Sequence, residues 1–79
     1  MANFTLRENR RYRCSLKLSS FEVWASNETI QAHLLQSGFK DVRVQGEGEW
    51  RIAEGTWPYR SMVAEMPSQI SNVEEVEAA

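Results

Sequence analysis

The sequence predicts a small α+β fold: a single-layer sheet of three to five strands, mixed or antiparallel, with one helix packed on one face. Three observations predict it. Residues 11–18 alternate apolar and polar with the period of two of a half-buried strand. Residues 21–35 place apolar side chains along one broad helical arc. Gly46-Glu47-Gly48 separates two further strand-like runs, as a glycine-bearing hairpin connection does. At 79 residues the chain has room for one domain, drawn here as 10–76, with 1–9 a flexible basic arm and 77–79 a frayed tail.

The first strand sets Tyr12, Cys14, Leu16 and Leu18 on one face and Arg13, Ser15 and Lys17 on the other. At Ser19-Ser20-Phe21-Glu22 the chain carries a capping box, with Leu18 and Val23 spaced as a hydrophobic staple. From there Phe21, Val23, Trp24, Ile30, Leu34 and Leu35 share the apolar arc, and His33 lies on the polar side. A shorter helix capped by Ser26 is the rival reading, because Asn27 and Thr29 are poor helix-interior residues; the long helix is preferred. Gly38 closes the helix in the left-handed conformation, with Phe39 set to pack back on Leu34.

Asp41 to Gln45 reads as the second strand, with Val42 and Val44 inward, and Glu49 to Trp57 as the third. Its alternation falters at Ala53-Glu54-Gly55, where a glycine inside a strand marks a bulge. Ser61 to Glu65 and Gln69 to Val76 read as short strands joined by a turn at Pro67-Ser68. If the first two strands are parallel, the helix between them makes a right-handed crossover. One helix covers one face of such a sheet, which leaves the other bare, polar or covered by something else.

Three Trp, three Phe and two Tyr give the chain a globular composition. No run approaches the roughly 18–20 apolar residues that cross a bilayer. The arginine-bearing start lacks the apolar stretch of a secretory signal. Cys14 has no second cysteine to pair with inside the chain, which fits a cytoplasmic setting. The net charge of −2 conceals an uneven distribution. Residues 1–20 hold five basic side chains against Glu8, and residues 61–79 hold four glutamates and no Lys or Arg. The two ends can attract each other within one molecule or between two.

The catalytic inventory is thin. Cys14 and His33 are unique in the chain, and the reading above faces them apart, as a buried structural thiol and a solvated imidazole. One Cys and one His do not make a four-ligand zinc site. Asp41, Glu47, Glu49 and Glu54 read as a solvated rim of the hairpin. Gly46-Glu47-Gly48 lacks the remaining parts of a phosphate loop. A chain this short also has little room for a ligand cavity of roughly 300–1,000 Å³. The sequence therefore predicts no enzyme, no cofactor and no metal site.

What it offers instead is aromatic surface. Trp50 and Trp57 are seven positions apart, so a regular strand points them to opposite faces and a bulge at Gly55 returns them to one. An aromatic left on the uncovered face is an interface anchor, because Trp, Tyr and Arg dominate binding hot spots. The leading expectation is a small accessory protein that binds another protein or a second copy of itself through the sheet face or edge. Trp50, Arg51, Trp57 and Tyr59 are its candidate contacts. The alternative is nucleic-acid binding by Arg7, Arg10, Arg11 and Arg13, with Phe4 and Tyr12 as stacking surfaces. A sequence pI of about 5.3 weighs against it.

Overall fold

A computed structural model of the chain describes residues 3–22, 24–65 and 69–77. They form β1 (Asn3–Leu6), β2 (Arg10–Lys17), α1 (Asn27–Gln36), β3 (Lys40–Glu47), β4 (Trp50–Trp57), β5 (Met62–Glu65) and β6 (Ile70–Val76). Four strands make one antiparallel sheet in the order β3-β4-β2-β6, and β1 and β5 pair separately as a two-stranded ribbon. The α+β class with one helix holds. The single sheet gives way to two sheets and six strands among the described residues.

The extra strand comes from residues 3–6, within the segment read as a loose arm. Phe4 packs edge-on against Tyr12 with centroids 5.5 Å apart, and Leu6 is buried. Its partner β5 lies near the far end of the chain, so no local period announces it. β2 and β3 both run antiparallel to β4, which lies between them, so they are parallel to each other. The β2-α1-β3 connection is thus a crossover that skips one strand.

The helix begins at Asn27, as the shorter reading had it. Ser26 has extended backbone (φ −75°, ψ 156°), and its hydroxyl accepts from the Thr29 N–H. The capping-box contact at Ser19 also forms, with the Ser19 N–H donating to Glu22 Oε1 at 2.9 Å, but it closes an isolated turn. Val23, half of the expected staple, lies outside the described residues, as do Pro67, Ser68 and the last two alanines.

The helix stop is as expected. Gly38 has φ +114°, its N–H donates to Leu35 O, and the Phe39 N–H donates to Leu34 O, which is a Schellman closure. A Cβ at Gly38 would lie 3.0 Å from the Tyr59 ring. The Phe39 ring also packs edge-on against Trp57, with centroids 5.1 Å apart.

β2 and β4 pair in unbroken register from Arg10↔Trp57 to Lys17↔Trp50, so Gly55 marks no bulge. Gly55 serves another purpose: a Cβ there would lie 3.3 Å from Phe39 Cβ. The irregularities fall where β3 pairs with β4, between Lys40 and Arg43, and where β6 pairs with β2. Each of these outer strands carries a left-handed residue, Asp41 (φ 52°) and Asn72 (φ 51°), types that tolerate that conformation. The β3–β4 loop is two residues, Gly48 and Glu49, with Gly48 at φ +70°, as a type II′ hairpin needs.

The inner face of the large sheet is covered twice. Ile30 and Leu34 of α1 pack with Leu16, Leu18, Ala53 and Val44, while Leu6 and Ala64 of the ribbon pack with Tyr12 and Trp57. Among the described residues nothing covers the outer face, which is polar across its middle and carries Trp50 and Ile52 toward one end. Arg43, Glu54, Arg13 and Glu74 lie side by side across all four strands. No described helix is long and apolar enough to cross a membrane.

Candidate functional site

The connection from β2 to α1 carries the most exposed large apolar side chains of the described residues. Phe21 is 95% and Trp24 89% exposed. The loop is nevertheless tied down. The Leu18 N–H donates to Glu49 O at 2.7 Å, and the Glu22 and Ala25 N–H groups close successive turns on Ser19 O and Glu22 O. Gln69 Nε2 donates to the Glu22 carboxylate, fastening the loop beside the start of β6. At its other end the Arg51 guanidinium donates to Ala25 O and Asn27 Oδ1, both at 2.8 Å, and to Gly48 O at 3.1 Å.

These bonds bring the loop to the sheet end that holds the β3–β4 hairpin. Trp50 begins β4 there and is 52% exposed on the outer face, with the Lys17 ammonium 5.7 Å above its ring and half-exposed Ile52 beyond. Of the other three sequence-predicted contacts, two are buried and one is exposed. Trp57 is buried on the inner face, its Nε1–H donating to Arg60 O. Arg51 is buried as the anchor of the loop. Tyr59 is exposed but stacks edge-on against Trp57 at 5.3 Å, away from Trp50. With no bulge in β4, the seven-residue spacing sends Trp50 out and Trp57 in. Phe21 and Trp24 were missed because the long helix turned them toward the core. The helix-breaking character of Asn27 and Thr29, beside the Ser26 cap, was the signal that frees them.

Beside the loop lies an apolar cleft of about 640 Å³, larger than a chain of this length was expected to hold. Its floor is the inner face at Cys14, Leu16 and Ala53, and its walls come from Leu34 of the helix and Met62 and Ala64 of the ribbon. Glu22 stands at its border.

Cys14 and His33, expected on opposed faces, both border the cleft. Burial pushes the Cys14 thiol up, and a backbone hydrogen bond at Ala53 only partly offsets it. The thiol is thus protonated at neutral pH, the wrong state for a nucleophile. The arginines of the alternative reading are spread among carboxylates. Arg11 is buried on Glu54 (2.9 Å) and Thr56, Arg13 pairs with Glu74 (2.9 Å), and Arg7 lies 4.0 Å from Glu75. Arg10 is exposed. The basic beginning and the acidic end of the chain meet along β2 and β6. Glu54 therefore belongs to an ion pair rather than to a solvated hairpin rim.

Comparison with protein-family models, with curated proteins and with solved structures finds no match.

Proposed function

We propose that this chain is a small accessory protein, without catalysis of its own, that binds another protein chain through Phe21 and Trp24 and through the outer-face residues Trp50 and Ile52 at the same end of the sheet. One observation carries the reading: two large aromatic side chains are held almost wholly in solvent by a loop whose backbone is fixed at both ends. Holding apolar rings in water has no stabilising role in an isolated chain. Such rings are the usual anchors of protein interfaces, and a fixed backbone lowers the ordering cost of binding. The pairing of Arg11 with Glu54 and of Arg13 with Glu74 favours this reading over nucleic acid, and a lone free cysteine favours a cytoplasmic setting.

The test is affinity capture with the purified chain and with a Phe21→Ala/Trp24→Ala variant, followed by reconstitution of each captured complex from purified parts. The proposal expects a stoichiometric complex that the variant weakens at least tenfold, with its circular dichroism unchanged. Equal binding by both chains, or no reconstituted complex and no self-association, overturns it.

A further inference from the structure

The two outer strands of the four-stranded sheet are unlike. β6 is interrupted by left-handed Asn72 where its register with β2 shifts, and it carries Glu74 and Glu75 in succession. Irregular backbone and charge both discourage a further strand from adding to a sheet. β3 has neither defence along residues 43–47, which pair with β4 residue for residue and sum to no net charge. The two-residue hairpin makes Glu47 and Trp50 a hydrogen-bonded pair. The backbone groups of Glu47, Gln45 and Arg43 therefore face β4, and those of Gly46, Val44 and Val42 face outward.

That outward row is met by α1. Asn27 Nδ2 donates to Gly46 O and Gln31 Nε2 donates to Val42 O, each at 3.1 Å. The two amides stand one turn apart on the helix, beside Ile30 and Leu34, which pack on the sheet. The Asn27 amide is also held from its other side, where Oδ1 accepts from the Arg51 guanidinium at 2.8 Å. Two polar side chains thus interrupt the apolar arc of the helix and lie along the edge of β3.

We propose that Asn27 and Gln31 are guards that close the β3 edge to strand addition, and that the strand they exclude is β3 of a second copy of this chain. Residues 43–47 are self-complementary about a two-fold axis at Gln45. Antiparallel pairing there sets Arg43 opposite Glu47 of the second copy and Glu47 opposite its Arg43, all of them exposed on the outer face. The same pairing needs Gly46 O as acceptor for the Val44 N–H of the second copy, and Gly46 O is the carbonyl that Asn27 occupies. Val42 O, in the same outward row, is held by Gln31.

The experiment compares the wild type with Asn27→Ala/Gln31→Ala by sedimentation from low to high micromolar concentration, with circular dichroism as the check of folding. Alanine is a strong helix former, so the change removes the amide donors and keeps the helix. The variant should dimerise at concentrations at least tenfold below any at which the wild type self-associates. The amide hydrogens of Val44 and Gly46 should exchange more slowly as the dimer forms. Adding Gln45→Lys, which opposes two like charges on the two-fold axis, should return the variant to the wild-type mass. Ser26→Ala removes the helix cap and leaves both guards, so it should lower the urea midpoint without promoting a dimer.

A double variant with the wild-type mass throughout overturns the proposal. So does a dimer indifferent to Gln45→Lys, or one that Ser26→Ala forms equally, because instability alone would then explain it. If the double variant loses its helix signal, Gln31→Ala alone decides by the same measurements, since it leaves the contact between Arg51 and Asn27 in place. Phe21→Ala/Trp24→Ala in the double-variant background should leave the dimer intact, which keeps this test apart from the protein-binding reading above. A dimer lost with those two rings overturns the β3 edge as its seat.

Discussion

Truncating Trp57 and Trp24 to alanine separates a core tryptophan from a displayed one. Trp57 is buried and contacts the Phe39 and Tyr59 rings at 5.1 and 5.3 Å, and its indole N–H is satisfied by Arg60 O. Trp→Ala in a core costs about 3–5 kcal/mol, and the ring pairs lie toward the upper end of that cost. At ~0.05–0.15 kcal/mol per residue, a 79-residue chain has roughly 4–12 kcal/mol in all. Trp57→Ala should therefore remove a third or more of the stability, or unfold the chain. Trp24→Ala, at an exposed position, should change the monomer by no more than about 0.5 kcal/mol. Urea titration followed by far-ultraviolet circular dichroism, at a concentration low enough to keep the chain monomeric, reads both. Comparable losses in the two variants would refute the reasoning, because they would return Trp24 to a core-facing helix.

Other groups make their own predictions. The Ser19 N–H holds the Glu22 carboxylate below its usual range. Because the folded value is depressed, this contribution is present at neutral pH and lost as pH falls through the folded pKa; an NMR titration should find Glu22 titrating below a glutamate in an unfolded peptide, and an ordinary value contradicts the loop geometry. The raised Cys14 thiol should alkylate slowly at mildly alkaline pH in the native chain and quickly in urea; equal rates would contradict its burial. Gly46 has φ +105° and its added Cβ would meet Trp50 O at 2.7 Å, whereas one at Gly48 meets open space. Gly46→Ala should therefore cost more than the roughly 1–3 kcal/mol of a left-handed alanine alone, and Gly48→Ala no more than that; equal urea midpoints would count against this hairpin.

The features legible in the sequence are those set by neighbouring residues. β2 shows its period of two, Gly38 stops the helix, and the glycines around Glu47 turn the hairpin. The helix start was ambiguous because Ser19-x-x-Glu22 and Ser26-x-x-Thr29 both satisfy local cap chemistry. The choice falls with the Arg51 guanidinium, which holds Ala25 O and Asn27 Oδ1 from another strand. β1 was invisible because four residues carry too little pattern and their partner is distant. Gly55 attracted the bulge, yet the left-handed residues at the two register shifts are Asp41 and Asn72, where side-chain type rather than absence of a side chain permits the conformation. The opposed charges at the chain ends were plain, but only the β2–β6 register turns them into Arg13–Glu74 and makes the uncovered face a neutral mosaic. The cleft had no signature at all, since sheet, helix and ribbon contribute its walls from distant parts of the chain.

The claim that the Phe21–Trp24 loop is a protein-docking element is tested most directly by a photoreactive phenylalanine analogue placed at position 24 in cells that naturally contain the protein. The account predicts a discrete protein–protein adduct on illumination. A labelled chain that yields no protein adduct at position 24, while the same probe at buried position 57 gives only internal cross-links, would contradict it.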